Sequence, residues 1–365
     1  MQLQENSLGQ PLAFISDLQG LQVSPLPGPS PWGVQAWFPD PHKKDQYSHQ
    51  WNVEIQRQMT GDLMLSVAYV GSASRNLEMA TLANNAPTPG LGTPDQVNAR
   101  RPYPYQGTLF FDTSQGKSSF NSLQLRAERR FSQGFQFLIG YTFSKSLDNG
   151  TSGWFGAENG LGANSASLQD PSHPEASRSV SSFDVTHYLT ASGIYELPFG
   201  KGKRWLQSGP AAWVLGGWQT NTILTARSGQ PYNVAVIGDV GNIGNTIGWW
   251  NYARPNLVGN PRVANPTVQQ AFNPDAFSVP SFSFGNFGRN VLRTNHVPNV
   301  DFSLFKGFRL WNETSKLEIR AEAFNLFNFM NYGAPTGLIG SPAAARISSV
   351  VTLPRQLQLA GKIVF

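Results

Sequence analysis

At 365 residues the chain is long enough to bury a sizeable core, yet no run approaches the ~20 apolar residues of a spanning helix. Apolar residues make up 40% and mean hydropathy is −0.29. Charged residues are 13%, against roughly 25% in ordinary globular proteins, while 36 Gly, 26 Pro and 12% aromatics favour strands with long, turn-rich loops. A net charge of +5 on scattered Lys and Arg gives no nucleic-acid stripe, and zero Cys excludes disulfides, Cys metal sites and a thiol nucleophile.

The first twenty residues contain Glu5 and Asp17 and no Lys or Arg, so they lack an export-signal pattern. Beyond them the pattern predicts nine strands, at 50–59, 62–71, 119–131, 135–147, 184–198, 213–228, 299–309, 314–329 and 355–365. In the fourth, Phe135, Phe137, Ile139, Tyr141 and Phe143 alternate with Gln136, Leu138, Gly140 and Thr142. In the eighth, Leu317, Ile319, Ala321 and Ala323 alternate with Lys316, Glu318, Arg320 and Glu322. Four charges on one face are costly in a dry core and suit a water-filled lumen. The last strand sets Leu357, Leu359, Ile363 and Phe365 against Gln356, Gln358, Ala360 and Lys362.

The predicted connections alternate short (60–61, 132–134, 199–212, 310–313) and long (72–118, 148–183, 229–298, 330–354). This asymmetry, with every second residue apolar, predicts an all-β fold: an antiparallel transmembrane β-barrel portion with short periplasmic turns and long extracellular loops. Aromatics at strand ends fit interfacial girdles: Phe131, Phe135, Tyr195, Phe199, Trp205, Phe308 and Trp311 by the short turns, Phe143, Phe327 and Phe329 toward the loops. An alternative assembly is a soluble surface or secreted all-β binding protein, carbohydrate-binding, in which a second sheet buries the apolar strand faces.

Catalysis finds little support. Asp184 and His187 lie beside Ser181 and Ser182, but strand positions three apart face opposite sides. Gly238, Gly241 and Gly244 lack the strand-to-helix context of a phosphate loop and read as a flexible external loop. His42, His49, His173, His187 and His296 have no metal-ligand spacing. The expectation is no enzyme, no cofactor and no metal. Ligand contact falls to the loop aromatics Trp154, Phe155, Trp249, Trp250 and Tyr252, which equally suit packing of loop on loop.

Several stretches resemble the C-terminal part of TonB-dependent outer-membrane receptors of the Oar-like group. They are FNSLQLRAERRFSQGFQFLIGYTFSKSLDN (120–149), FDVTHYLTASGIYELPFGKGKRW (183–205), GGWQTNTILTARSGQPYNV (216–234), FNPDAF (272–277), GNFGRN (285–290) and AEAFNLFNFMNY (321–332). The resemblance implies an outer-membrane location and a piece of a 22-stranded barrel, plugged in family members by an N-terminal domain, that takes up a bulky nutrient. Residues 1–45 then form an irregular lead-in or loop remnant and 46–365 a partial barrel. No plug, TonB box or N-terminal regulatory-like domain is seen in the chain, and nine strands do not close so wide a barrel. The expectation is therefore the C-terminal portion of a longer receptor. Implied partners are outer-membrane lipid, the barrel assembly machinery, the TonB complex through the missing plug and an unidentified nutrient, with no nucleic acid. Phe365 and its strand resemble the barrel assembly signal, and Glu322, Phe324, Asn325, Phe327 and Asn328 form the family-like signature, with the Asn side chains placed to satisfy backbone groups.

Overall fold

The structure, a computed structural model, describes residues 36–104, 107, 109–150, 161, 168–170, 172–245, 252–310 and 315–365. Its frame is nine long strands: β1 (Tyr47–Gln58), β2 (Leu63–Leu82), β3 (Leu109–Ser132), β4 (Phe135–Asp148), β5 (His187–Glu196), β6 (Trp218–Arg227), β7 (Val297–Arg309), β8 (Lys316–Phe324) and β9 (Gln356–Val364). Each pairs antiparallel with its sequence neighbour, so the order runs β1 to β9 without a crossover. Among the described residues β1 and β9 do not pair with each other, and no further strand pairs with the outer edge of either. Two short strands join it: Ala36–Pro39 runs parallel to the start of β3, and Ser179–Val180 pairs with the end of β4.

Register converts alternation in single strands into two continuous faces. Cross-strand partners Ile55, Val67, Leu125, Tyr141, Leu189 and Ala226 form one row across β1 to β6. The row one residue away reads Gln56, Ser66, Arg126, Gly140, Thr190 and Thr225 and faces the opposite side. The apolar face continues through Leu304, Ala321 and Leu359, while the polar face holds Glu318, Arg320 and Glu322. There Arg320 donates to Glu318 at 2.8 Å and its guanidinium stacks over Phe305 at 5.5 Å.

The apolar face is open. Ile55 is 72% exposed and Leu359 84%, and among the described residues no second sheet covers them. The covering sheet that the sandwich alternative requires is not seen among the described residues. The packed core lies instead in the long connections, where Tyr232, Val234, Phe272, Ala276, Phe277, Phe287, Leu292 and Ala345 cluster.

Strand limits depart from expectation in three places. β2 and β3 run on to Leu82 and back to Leu109, taking much of the connection expected at 72–118. Register shifts between Ser74 and Leu77 and between Leu77 and Met79 carry the pairing through the small polar residues that read as loop. The start of the segment expected as strand 213–228 lies in a helix, α2 (Gly209–Leu215), with Ser208 at the N-cap and Pro at the first turn. The eighth strand ends at Phe324, because Asn325 and Asn328 adopt φ of 50° and 53° and turn the chain. A further helix, α1 (Pro94–Arg100), with a Thr93–Gln96 capping box, occupies the β2–β3 connection.

Candidate functional site

The long connections gather at one end of the sheet and form a layer with its own chemistry. FNPDAF and GNFGRN supply its aromatic centre: Phe277 meets Phe287 edge-on at 4.9 Å between ring centroids, and Phe272 at 5.9 Å. Tyr232 packs on Phe272 at 6.0 Å, and burial pushes its phenol pKa well above the ordinary value. This end of the molecule is therefore a packed platform and not a set of independent loops.

Buried charge pairs fasten the platform to the sheet. Arg289, 7% exposed, pairs with Asp148 at the end of β4, 5% exposed, and donates to the Asp148 carbonyl at 3.0 Å and to the Ser177 carbonyl at 3.3 Å. Arg254 donates to the Ser177 hydroxyl at 2.6 Å and the Ala176 carbonyl at 3.2 Å; burial, and then the Arg289 charge, hold its pKa below the usual range. Arg293 donates to Asp184 at 2.5 Å, and the other Asp184 oxygen accepts the Ser146 amide at 2.7 Å. The residues that suggested a catalytic group are thus held in structural contacts: Asp184 with Arg293 and the Ser146 amide, Ser181 with the Ser146 hydroxyl at 2.8 Å, and His187 Nδ1 with the Tyr141 hydroxyl at 2.8 Å.

The glycine-spaced loop is held rather than free. Asp239 accepts from the Ile243 and Gly244 amides at 2.9 and 2.6 Å, and Asn242 donates to the carbonyls of Gly90 and Gly92, both at 3.0 Å. Arg100 of α1 reaches the Asn242 carbonyl at 2.8 Å. This corrects the expectation of flexibility, since the run is bound to the β2–β3 connection some 150 residues away in sequence.

Two cavities open in the layer. One, of about 270 Å³, is lined by Tyr232, Arg293, Asn295 and Tyr332 among others. The other, of about 280 Å³, is lined by Asp40, Thr113, Gln115 and Asp170 among others. Of the expected ligand-contacting residues, Trp154, Phe155, Trp249 and Trp250 lie outside the described residues, and Tyr252 pairs with Ile237 in a short antiparallel ladder. Arg289 and Asn290 lie in a stretch noticed only for its family likeness; their partners are more than 100 residues away, so no local pattern announces them.

The signature after β8 forms a second node. Asn325, 4% exposed, donates from Nδ2 to the carbonyls of Phe329 and Leu353, both at 3.0 Å. Its Oδ1 accepts the Phe329 amide at 2.8 Å, and its own amide donates to Asp301 at 2.8 Å. Asn328 accepts the Arg355 amide at 3.0 Å. Glu322 pairs across the ladder with Ser303 and Gln358, Phe324 with Gln356, Phe327 packs on Phe329 at 5.6 Å, and Phe365 follows β9 at 80% exposure.

An uncovered apolar face across nine antiparallel strands, backed by a charged polar face, with a loop layer at one end, matches a membrane wall. Residues 3–358 match the family model described as outer membrane beta barrel domain. The chain belongs to that family. The barrel domain is an outer-membrane element with short periplasmic turns and long extracellular loops. No curated protein matches it. Among solved structures, the barrel domain is similar to the pyoverdine outer membrane receptor FpvA from Pseudomonas aeruginosa PAO1, at 13% identity over 87% of this chain and 29% of FpvA, with a TM-score of 0.41. The outer membrane transporter YddB from Escherichia coli gives 10%, 87%, 32% and 0.44. The ferric yersiniabactin uptake receptor FyuA from Yersinia pestis gives 11%, 87%, 30% and 0.39. The chain spans less than a third of the length of each.

Proposed function

We propose that the chain forms part of the wall and extracellular face of a TonB-dependent receptor of the Oar-like group, which carries a bulky nutrient across the outer membrane. The observation that supports this most directly is the open nine-stranded wall. Two unpaired edges in lipid leave backbone groups unsatisfied at several kcal/mol each, so the working barrel contains further strands. Strand direction adds a parity rule. With nine strands in antiparallel order, β1 and β9 run the same way, and antiparallel closure at both edges takes an odd number of additional strands. The total is then even, as in bacterial outer-membrane barrels. A plug inside that barrel would supply the contact with the TonB complex, and the loop layer would meet the nutrient first.

Peptide mapping of the native outer-membrane polypeptide tests this. The expected result is a heat-modifiable band well above 40.0 kDa that carries these peptides together with those of a plug and additional strands. Recovery of the peptides only from a soluble 40.0 kDa species would overturn it.

A further inference from the structure

The turn between β5 and β6 is built unlike the short turns that join β1 to β2 and β3 to β4. It contains Lys201, Lys203 and Arg204 with no Asp or Glu between 197 and 217, and it carries α2. Gly216 closes its base so tightly on Gly200 that an added Cβ would stand 2.6 Å from the Gly200 Cα and 2.4 Å from the Ala212 carbonyl oxygen. This close approach folds α2 back from the turn.

The face on which α2 lands is the apolar outer one. Lys306 shares the row of Phe302, Leu304 and Phe308 on β7, and its ammonium donates to the carbonyls of Trp213 and Val214 at the C-terminal end of α2. Trp213 packs on Phe308 at 5.5 Å between centroids, and the Trp218 indole donates to the Val214 carbonyl at 2.9 Å. A cation on the lipid face is costly at the membrane midplane and nearly free at its edge. Lys306 thus marks the level of α2 as the membrane interface.

Above that anchor α2 presents apolar side chains outward: Trp213, Val214 and Leu215 are exposed, as are Trp205 and Leu206 beside them. Lys203 pairs with Glu196, whereas Lys201 and Arg204 are exposed, and among the described residues no carboxylate pairs with either. Apolar rings and aliphatics flanked by cations, held against the outside of the wall at the periplasmic end, are the composition of an interfacial anchor.

We propose that the β5–β6 turn with α2 is a lipid-binding element that lies in the periplasmic leaflet and selects an anionic phospholipid, with Trp213, Val214 and Leu215 in the acyl boundary and Lys201 and Arg204 on the headgroup phosphate. The inference rests on the wall standing in lipid.

The chain has no Cys of its own, so a single label can be placed once any Cys elsewhere in the receptor is replaced by Ser. The whole receptor with Leu215→Cys, carrying a fluorophore, is reconstituted in vesicles of phosphatidylcholine mixed with phosphatidylglycerol, with bromine on the chains of one lipid or the other. Brominated phosphatidylglycerol should quench it more strongly, corresponding to about fivefold local enrichment of that lipid. Lys201→Glu with Arg204→Glu should abolish the preference and leave unchanged the quenching of a control label at Leu125→Cys on the outer face. Equal quenching by both lipids, or iodide access to the Leu215 label while the Leu125 label stays in lipid, would overturn the inference alone. A Leu125 label that neither lipid quenches would overturn it together with the placement of the wall in lipid.

Discussion

Asn325 shows how much one side chain can organise. Its amide group satisfies three backbone groups at the two ends of the β8–β9 connection, and its own backbone amide reaches Asp301 on β7. Asn325 itself is 4% exposed, so its side chain makes these bonds inside the node and not at its surface. Asn325→Ala should destabilise by about 2–4 kcal/mol, losing three hydrogen bonds and forcing Ala into left-handed backbone. Asn325→Gly keeps the backbone and should be the milder of the two, as read from the denaturant midpoint of the detergent-folded protein. The Arg289–Asp148 pair follows different rules because both partners are charged and nearly buried. Asp148→Asn or Arg289→Met alone should cost roughly 3–5 kcal/mol, while the double variant should cost less than the sum, because no uncompensated charge then stays buried. A double-mutant cycle on the same midpoint reads the difference, and additive costs would show that the pair does not hold the platform.

The hairpin between β3 and β4 turns on Gln133 and Gly134, both at positive φ (54° and 82°), which is the geometry of a two-residue type I′ turn. Gln133→Asn supplies the residue favoured at that position and should stabilise by about 0.5 kcal/mol, whereas Gly134→Val should cost about 1–2 kcal/mol; hydrogen exchange at the ends of β3 and β4 distinguishes them. The first turn is tied by charge. Asp62 is held below the usual carboxylate range, first by the Thr60 hydroxyl and then by Arg129. A depressed carboxylate contributes stability above its unfolded pKa and loses it as pH falls through the folded value. Protection of the Leu63 amide, taken relative to its intrinsic exchange rate at each pH, should therefore fall on acidification below about pH 4, and Asp62→Asn should remove that dependence. Strand existence was legible at this scale where alternation is sustained, as in Phe135 to Phe143 and Lys316 to Ala323. The limits were not. Trp213 and Leu215 mimic the start of an alternating run, while Ser208, Pro210 and Gly216 carry the weaker helix signal; in β2, Ser72 to Asn76 offer little hydrophobic pattern to follow.

For the whole molecule, alternation and the short–long rhythm of the connections were enough to give a meander with one apolar face, because antiparallel neighbours joined by tight turns leave little choice of order. The loop platform was hidden, since Arg289 finds Asp148 and Asn242 finds Gly90 through contacts that leave no periodic trace. The wall itself makes the last prediction. Leu125 stands between Val67 and Tyr141 in the middle of the apolar face, and Gln124 between Ala68 and Thr142 on the polar one. In a lipid-facing wall a charge at the first site is opposed by about 2–4 kcal/mol near the midplane, while the second faces water. Leu125→Arg should therefore deplete the assembled, heat-modifiable form in the outer membrane, and Gln124→Arg should leave it near its normal level. The adjacency of the two residues controls for local propensity and for distance from either turn. Equal effects would mean that the two faces meet the same surroundings, which is incompatible with a barrel wall.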